Sequence, residues 1–92
     1  MKKWWLTTKL QDRVLLYWLS YWKQNIYFPT LKIASEDLEL GSTSAVQRHL
    51  LALEKKGFVI HELHRYWGIN IKKIEKHLIE TYGKNYSERL QI

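Results

Sequence analysis

Three residue types that could do chemistry together fall between Gly41 and Gly57: short hydroxyls (Ser42, Thr43, Ser44), a Gln47-Arg48 pair and a Lys55-Lys56 pair. A glutamine amide can pair bidentately with adenine and an arginine fork with guanine, and a helix in the major groove brings both to base edges. Hydroxyls near the start of such a helix are short enough to let it approach, and lysines near its end sit where a phosphate backbone would pass. At about 100° per residue, Ser44, Arg48, Leu51 and Lys55 share one face, flanked by Thr43 and Gln47. Val46, Leu50 and Leu53 form the opposite stripe, with His49 on its edge, and the outward face carries no acid before Glu54. The same side chains also suit an ordinary solvated helix, so their meaning depends on the elements around them.

Other chemistries have less support. The absence of Cys excludes disulfides, thiolate metal sites and thiol nucleophiles, and it fits a reducing compartment. His61 and His64 fall on opposite faces by strand alternation, and His49 and His77 lie on different helices, so no metal set forms. His49 reads as a packing residue. No glycine-rich phosphate loop, apolar carboxylate pair or nucleophile elbow is present. The sequence therefore points to a non-enzymatic chain without cofactor, metal or evident small-molecule ligand.

The elements that must position the Gly41–Gly57 segment follow from caps and periodicity. Thr8 and Gln11 have capping-box spacing, and Leu10, Val14, Tyr17, Trp18 and Tyr21 recur at helical intervals, predicting a helix from about 8 to 24. Leu15, Leu16, Leu19 and Trp22 lie outside that stripe, so this helix must be covered on more than one face, by the C-terminal segment or by a second copy. Pro29-Thr30 restarts the chain, and Thr30 caps a short acidic helix through Leu38 or Leu40 with Ala34 and Leu38 inward. Ser42 caps a third helix that runs to about Lys56 and stops at Gly57. Phe58–Leu63 and Trp67–Ile71 are rich in strand formers and predict a hairpin with a tip at residues 64–66. Ile71, Ile74, Leu78 and Tyr82 predict a fourth helix from near Lys72 to Gly83, with at most one more turn in residues 84–92.

This order, mainly α with a small β-hairpin (α+β), is that of a winged helix-turn-helix: three helices, a two-stranded wing and an extra C-terminal helix. The 92 residues suffice for one domain, with a core at 8–71 and an extension at 72–92. A chain of this size buries only about 60–65% of its unfolded surface, so a partner would add stability. The net charge of +6 favours polyanions, and from Gly41 to Lys73 six cations (Arg48, Lys55, Lys56, Arg65, Lys72, Lys73) face only Glu54 and Glu62, a net of +4. The longest apolar run, Val14–Leu19, is far short of a membrane span, no cleavable leader follows the basic start, and the expected location is cytoplasmic. Most of the aromatic residues sit at helix-core spacing, whereas Trp4 and Trp5 precede the first helix and could staple it, meet a partner or rest on a lipid interface.

At this point the residues resemble a known family. Leu6-Thr7, Val14, Pro29-Thr30, Leu38, the run Ser42–Leu53 and Lys56-Gly57-Phe58-Val59 look like the N-terminal DNA-binding domain of LexA-type repressors, over roughly residues 6–71. The most specific part is the pattern Ser-x-x-Ala-x-x-x-His-Leu-x-Ala-Leu-x-x-Lys-Gly from Ser42 to Gly57. The resemblance implies a winged helix that binds DNA, typically as a dimer on a two-fold site, with Ser42, Ser44, Ala45, Gln47 and Arg48 toward the operator. Ser44, Gln47 and Arg48 differ from the family's usual residues, so the operator sequence does not carry over. The chain ends where that family's self-cleaving peptidase domain would begin, so the expectation is a stand-alone regulator without autoproteolysis, closer to one from a mobile element than to a damage-response repressor.

The expected function is a sequence-specific double-stranded DNA-binding transcriptional regulator. Residues 42–56 enter the major groove and the wing tip 64–66 touches the backbone. The expected DNA-binding set is Ser42, Thr43, Ser44, Gln47, Arg48, Lys55, Lys56, Arg65 and Lys72, with homodimerisation through the aromatic first helix and the C-terminal helix. The alternative is a winged-helix protein-interaction or adaptor module in a replication or defence assembly, motivated by the very apolar first helix.

Overall fold

The computed structural model describes residues 7–62 and 66–90. Trp4, Trp5, His64 and Arg65 lie outside the described residues. The element order is α1 (Lys9–Asn25), α2 (Leu31–Asp37), α3 (Thr43–Lys55), β1 (Val59–Glu62), β2 (Tyr66–Ile69), α4 (Ile71–Tyr82) and α5 (Tyr86–Leu90). The three helices before the hairpin start where their caps predict. Thr8 closes the full capping box with Gln11, the Thr30 hydroxyl accepts from the Ile33 N–H, and the Ser42 hydroxyl accepts from the Ala45 N–H.

Helix α1 is the pillar of the fold. Val14, Leu15, Leu16, Tyr17, Trp18 and Leu19 are all buried, which leaves no solvated side over almost two turns. The cover comes from the same chain: α3, α4 and α5 each pack against α1. The apolar surface that the sequence assigns either to the C-terminal segment or to a second copy is thus largely covered internally. Leu50, Leu53, Ile74 and Leu78 are fully buried and close this core from α3 and α4. Truncating a side chain of this kind to Ala costs about 2–5 kcal/mol.

The hairpin pairs antiparallel in the register Val59↔Ile69, Ile60↔Gly68, His61↔Trp67, Glu62↔Tyr66. Strand β2 begins at Tyr66, one residue earlier than the spacing predicts, which takes Tyr66 out of the expected tip; the rest of that tip, residues 64 and 65, lies outside the described residues. Phe58 precedes β1, is buried, and donates its N–H to the Leu53 carbonyl at 3.1 Å. The wing is anchored to the pillar through Trp18, whose indole N–H donates to the Trp67 carbonyl at 2.7 Å. Both partners are buried, so this bond satisfies two groups that would otherwise be costly to desolvate.

The extension is tied down by one buried acid. Asp12 is 2% exposed, and its carboxyl group accepts from the hydroxyls of Thr7 and Tyr82 and contacts His77 Nε2 at 2.8 Å. His77 and Tyr82 both belong to α4, so the carboxyl joins the extension to the start of α1. Helix α4 itself starts at the Asn70 cap and stops at Gly83, within a residue of prediction, and the further turn becomes α5, whose Leu90 is buried.

Burial, with the Asp12 contact second, pushes the Tyr82 hydroxyl up to about 12 from its ordinary value of 10.0. A raised folded-state value means that the unfolded chain loses its proton first. This contribution is complete below about pH 10 and is lost as pH rises through about 12. Urea midpoints measured from pH 8 to 12 should therefore fall less steeply for Tyr82→Phe than for the parent, and equal slopes would remove this assignment.

Candidate nucleic-acid interface

The interface is built by packing α2 across α3. Ala34, Ser35 and Leu38 are buried on the inner side of α2, and Val46, Leu50 and Leu53 answer from α3 with no exposure. Ala34 and Ser35 are small, so the two backbones can approach closely. The connection is short: Leu40 donates its N–H to the Ser35 carbonyl at 3.0 Å, and Gly41 takes φ +83°. Nothing lies near the position a Cβ would occupy at Gly41, so conformation and not space requires the glycine. Glu39 also takes positive φ, at 55°, which ends α2 at Asp37, slightly before the predicted boundary.

With its apolar stripe held from behind, α3 presents the opposite side to solvent. Thr43, Ser44, Gln47, Arg48 and Lys55 are exposed, and Leu51 among them is 43% exposed. The ridge that periodicity places outward is therefore outward. Ser42 is exposed too, with its oxygen engaged as the cap acceptor. Lys72 is exposed in the first turn of α4, just after the returning strand.

Two cations have structural partners that the sequence does not reveal. Lys56 is half-buried and donates from Nζ to Gln11 Oε1 at 2.8 Å, joining the end of α3 to the capping box of α1. Lys73 donates from Nζ to the Lys56 carbonyl at 2.8 Å and lies 4.9 Å from the Phe58 ring centre. This ammonium caps the C-terminal end of α3 beside Gly57, where a Cβ would come within 2.5 Å of it. Gly57, at φ +84°, turns the chain into the wing.

The histidines are used for packing. His61 stacks on Trp67 across the hairpin, with ring centroids 3.8 Å apart and planes 4° from parallel. His77 lies 5.0 Å from the Phe58 ring while contacting Asp12. Among the described residues no group of His, Asp or Glu is placed to hold a metal ion, and no helix is long and apolar enough to cross a membrane.

The Asp12–His77–Tyr82 cluster escaped sequence reasoning. A signal was present, since Asp12 occupies the same helical stripe as Leu15, Leu16 and Leu19, where a solvated acid does not belong. Thr7 is local, but Tyr82 comes from 70 residues away and His77 from 65, and those two contacts follow no local rule.

A helix-turn-helix followed by a two-stranded wing, with the second helix of the pair open to solvent, defines a winged helix DNA-binding domain. The chain belongs to the LexA DNA binding domain family, whose model matches residues 5–67, more than half of its length. Its partner class is accordingly DNA. Neither the curated proteins nor the solved structures provide a match.

His49, on the edge of the buried stripe, is held below its ordinary value of 6.5 by burial first and then by the neighbouring Arg48 charge. A depressed folded-state value for a base means that the unfolded chain takes up the proton first. Stability from this group is complete above about pH 6.5 and falls as pH drops through that value. Urea midpoints at pH 7 and pH 5 should differ less for His49→Gln than for the parent. An unchanged difference would contradict this role.

Proposed function

We propose that the protein is a sequence-specific regulator that binds double-stranded DNA, with α3 in the major groove and the wing beside the backbone. The observation that carries this reading is the exposed ridge Ser44–Gln47–Arg48–Lys55 on a helix whose other side is fully buried. Gln47 and Arg48 read base edges, since an amide and a guanidinium fork can each form a bidentate pair there. Ser42, Thr43 and Ser44 make close or phosphate contacts at the helix start. Lys55 and Lys72 position the domain on phosphates, joined by Arg65 at the wing tip. Lys56 contributes its charge from a fixed place, because Gln11 holds it. Bound across a promoter, such a domain acts as a repressor.

A two-fold site calls for two copies. The large apolar side chains left exposed in or next to α1 and α4 are Ile26, Tyr27 and Ile79, and these supply the homodimer contact in this reading. The adaptor reading rests on the apolar first helix, and the packing of α3, α4 and α5 on α1 accounts for that helix within the chain.

Two substitutions separate readout from positioning. Arg48→Ala should cost about 1–3 kcal/mol on the preferred duplex and relax base preference at one position. Lys55→Ala should weaken all duplexes alike and lower the slope of log K against log salt by about 1. Fluorescence anisotropy on a duplex selected from a random library, at several salt concentrations, measures both. An Arg48→Ala protein with full sequence preference would overturn the readout assignment, and absence of duplex binding at low salt would overturn the function.

A further inference from the structure

Leu51 is the one large apolar group on an outward face otherwise made of hydroxyls, Gln47, Arg48 and Lys55. It lies one turn after Arg48 and one turn before Lys55, at 43% exposure. Together with Ala52 it forms the apolar part of a shallow depression whose remaining lining is Arg48, Lys55 and Lys56. No acid lines this depression. An apolar spot bounded by three cations is poorly matched to an apolar protein surface, which would have to desolvate those charges without pairing them. It is well matched to a polyanion that displays an apolar group between its phosphates. In the major groove that group is the thymine C5-methyl, the apolar mark among hydrogen-bonding edges.

We infer that Leu51 is a specificity-determining residue that reads a thymine methyl in the bound duplex, beside the bases read by Gln47 and Arg48. The inference rests on the proposed docking of α3 in the major groove and adds a discrimination that hydrogen bonding does not provide. The contact buries the exposed part of Leu51 against one methyl while Arg48 and Lys55 engage edges and phosphates on either side. No rearrangement of the helix is required, because Leu51 already points away from the Val46–Leu50–Leu53 stripe.

The test uses the full chain and a duplex selected from a random library. Each thymine in that duplex is replaced in turn by deoxyuridine, which removes the methyl and leaves the hydrogen-bonding edge intact. Affinity is read by fluorescence anisotropy at fixed salt. The expected result is an affinity loss of about fourfold at one thymine per half-site, the effect of removing one buried carbon of this size. The loss should vanish in Leu51→Ala, a change on an exposed helix position that favours the helix and leaves the core untouched. Equal affinity for every deoxyuridine duplex, with sequence preference otherwise retained, would overturn the role of Leu51 while leaving the DNA reading in place. The same holds if the loss persists unchanged in Leu51→Ala. Failure to select any preferred duplex would overturn the readout reading and this inference with it.

Discussion

The structure depends on covering a helix that has no polar side. From Val14 to Leu19 every residue of α1 is buried, so water must be excluded around its whole circumference. A single neighbouring helix covers one stripe, and a helix-turn-helix with a wing leaves much of the pillar bare. The chain meets this constraint with α3, α4 and α5 packed on α1 and with the hairpin tied to it through Trp18. The extension at 71–90 is therefore part of the core, and Ile74, Leu78 and Leu90 are as buried as the residues of α3. For a chain of 92 residues this matters, because small domains bury a small fraction of their surface and stability is correspondingly thin.

The same constraint fixes which side of α3 faces solvent. A helix packed against both α1 and α2 can rotate only by pulling Val46, Leu50 or Leu53 into water, at about 1.5–3 kcal/mol for each side chain exposed. The backbone beneath the ridge from Ser44 to Lys55 is thus held in place by the core, so any ligand of this face would meet a helix whose ordering cost is already met by folding. The Ser42 cap and the Lys73 ammonium on the Lys56 carbonyl hold the two ends of the same helix.

What could be read from the residues alone were the local devices. Thr8, Thr30 and Ser42 act within three residues of themselves, and the α3 stripe repeats within four, so both are written in short stretches of chain. The outward placement of Ser44, Arg48 and Lys55 followed from that stripe. What escaped were contacts between side chains far apart in sequence. Asp12 meets Tyr82, Lys56 meets Gln11, and Trp18 meets the Trp67 carbonyl. No periodicity encodes these pairs, because each exists only once α1 has been surrounded. Counting charge along the chain gives six cations between Gly41 and Lys73, but only the structure shows that Lys56 and Lys73 donate to Gln11 and to the Lys56 carbonyl, while Arg48 and Lys55 lie on the outward face of α3.

That division has an electrostatic consequence. Lys56 and Lys73 each donate to a fixed partner beside Gly57, so two cations are gathered at the end of α3 and the start of the wing. The acids around α2 are placed otherwise. Asp37 accepts from the Tyr17 hydroxyl at 2.6 Å, which ties it to the pillar, Glu36 sits on the short helix, and Glu39 sits in the turn that follows it. An approaching polyanion therefore meets attraction along α3 toward the wing and repulsion along α2. For the proposed docking of α3, a dipolar surface of this kind would orient the encounter before any base is touched and disfavour the reversed approach with α2 in the groove. In the proposed docking, Lys56 and Lys73 bias the direction of approach from beside Gly57, Lys55 holds the backbone, and Arg48 is left to distinguish one duplex from another.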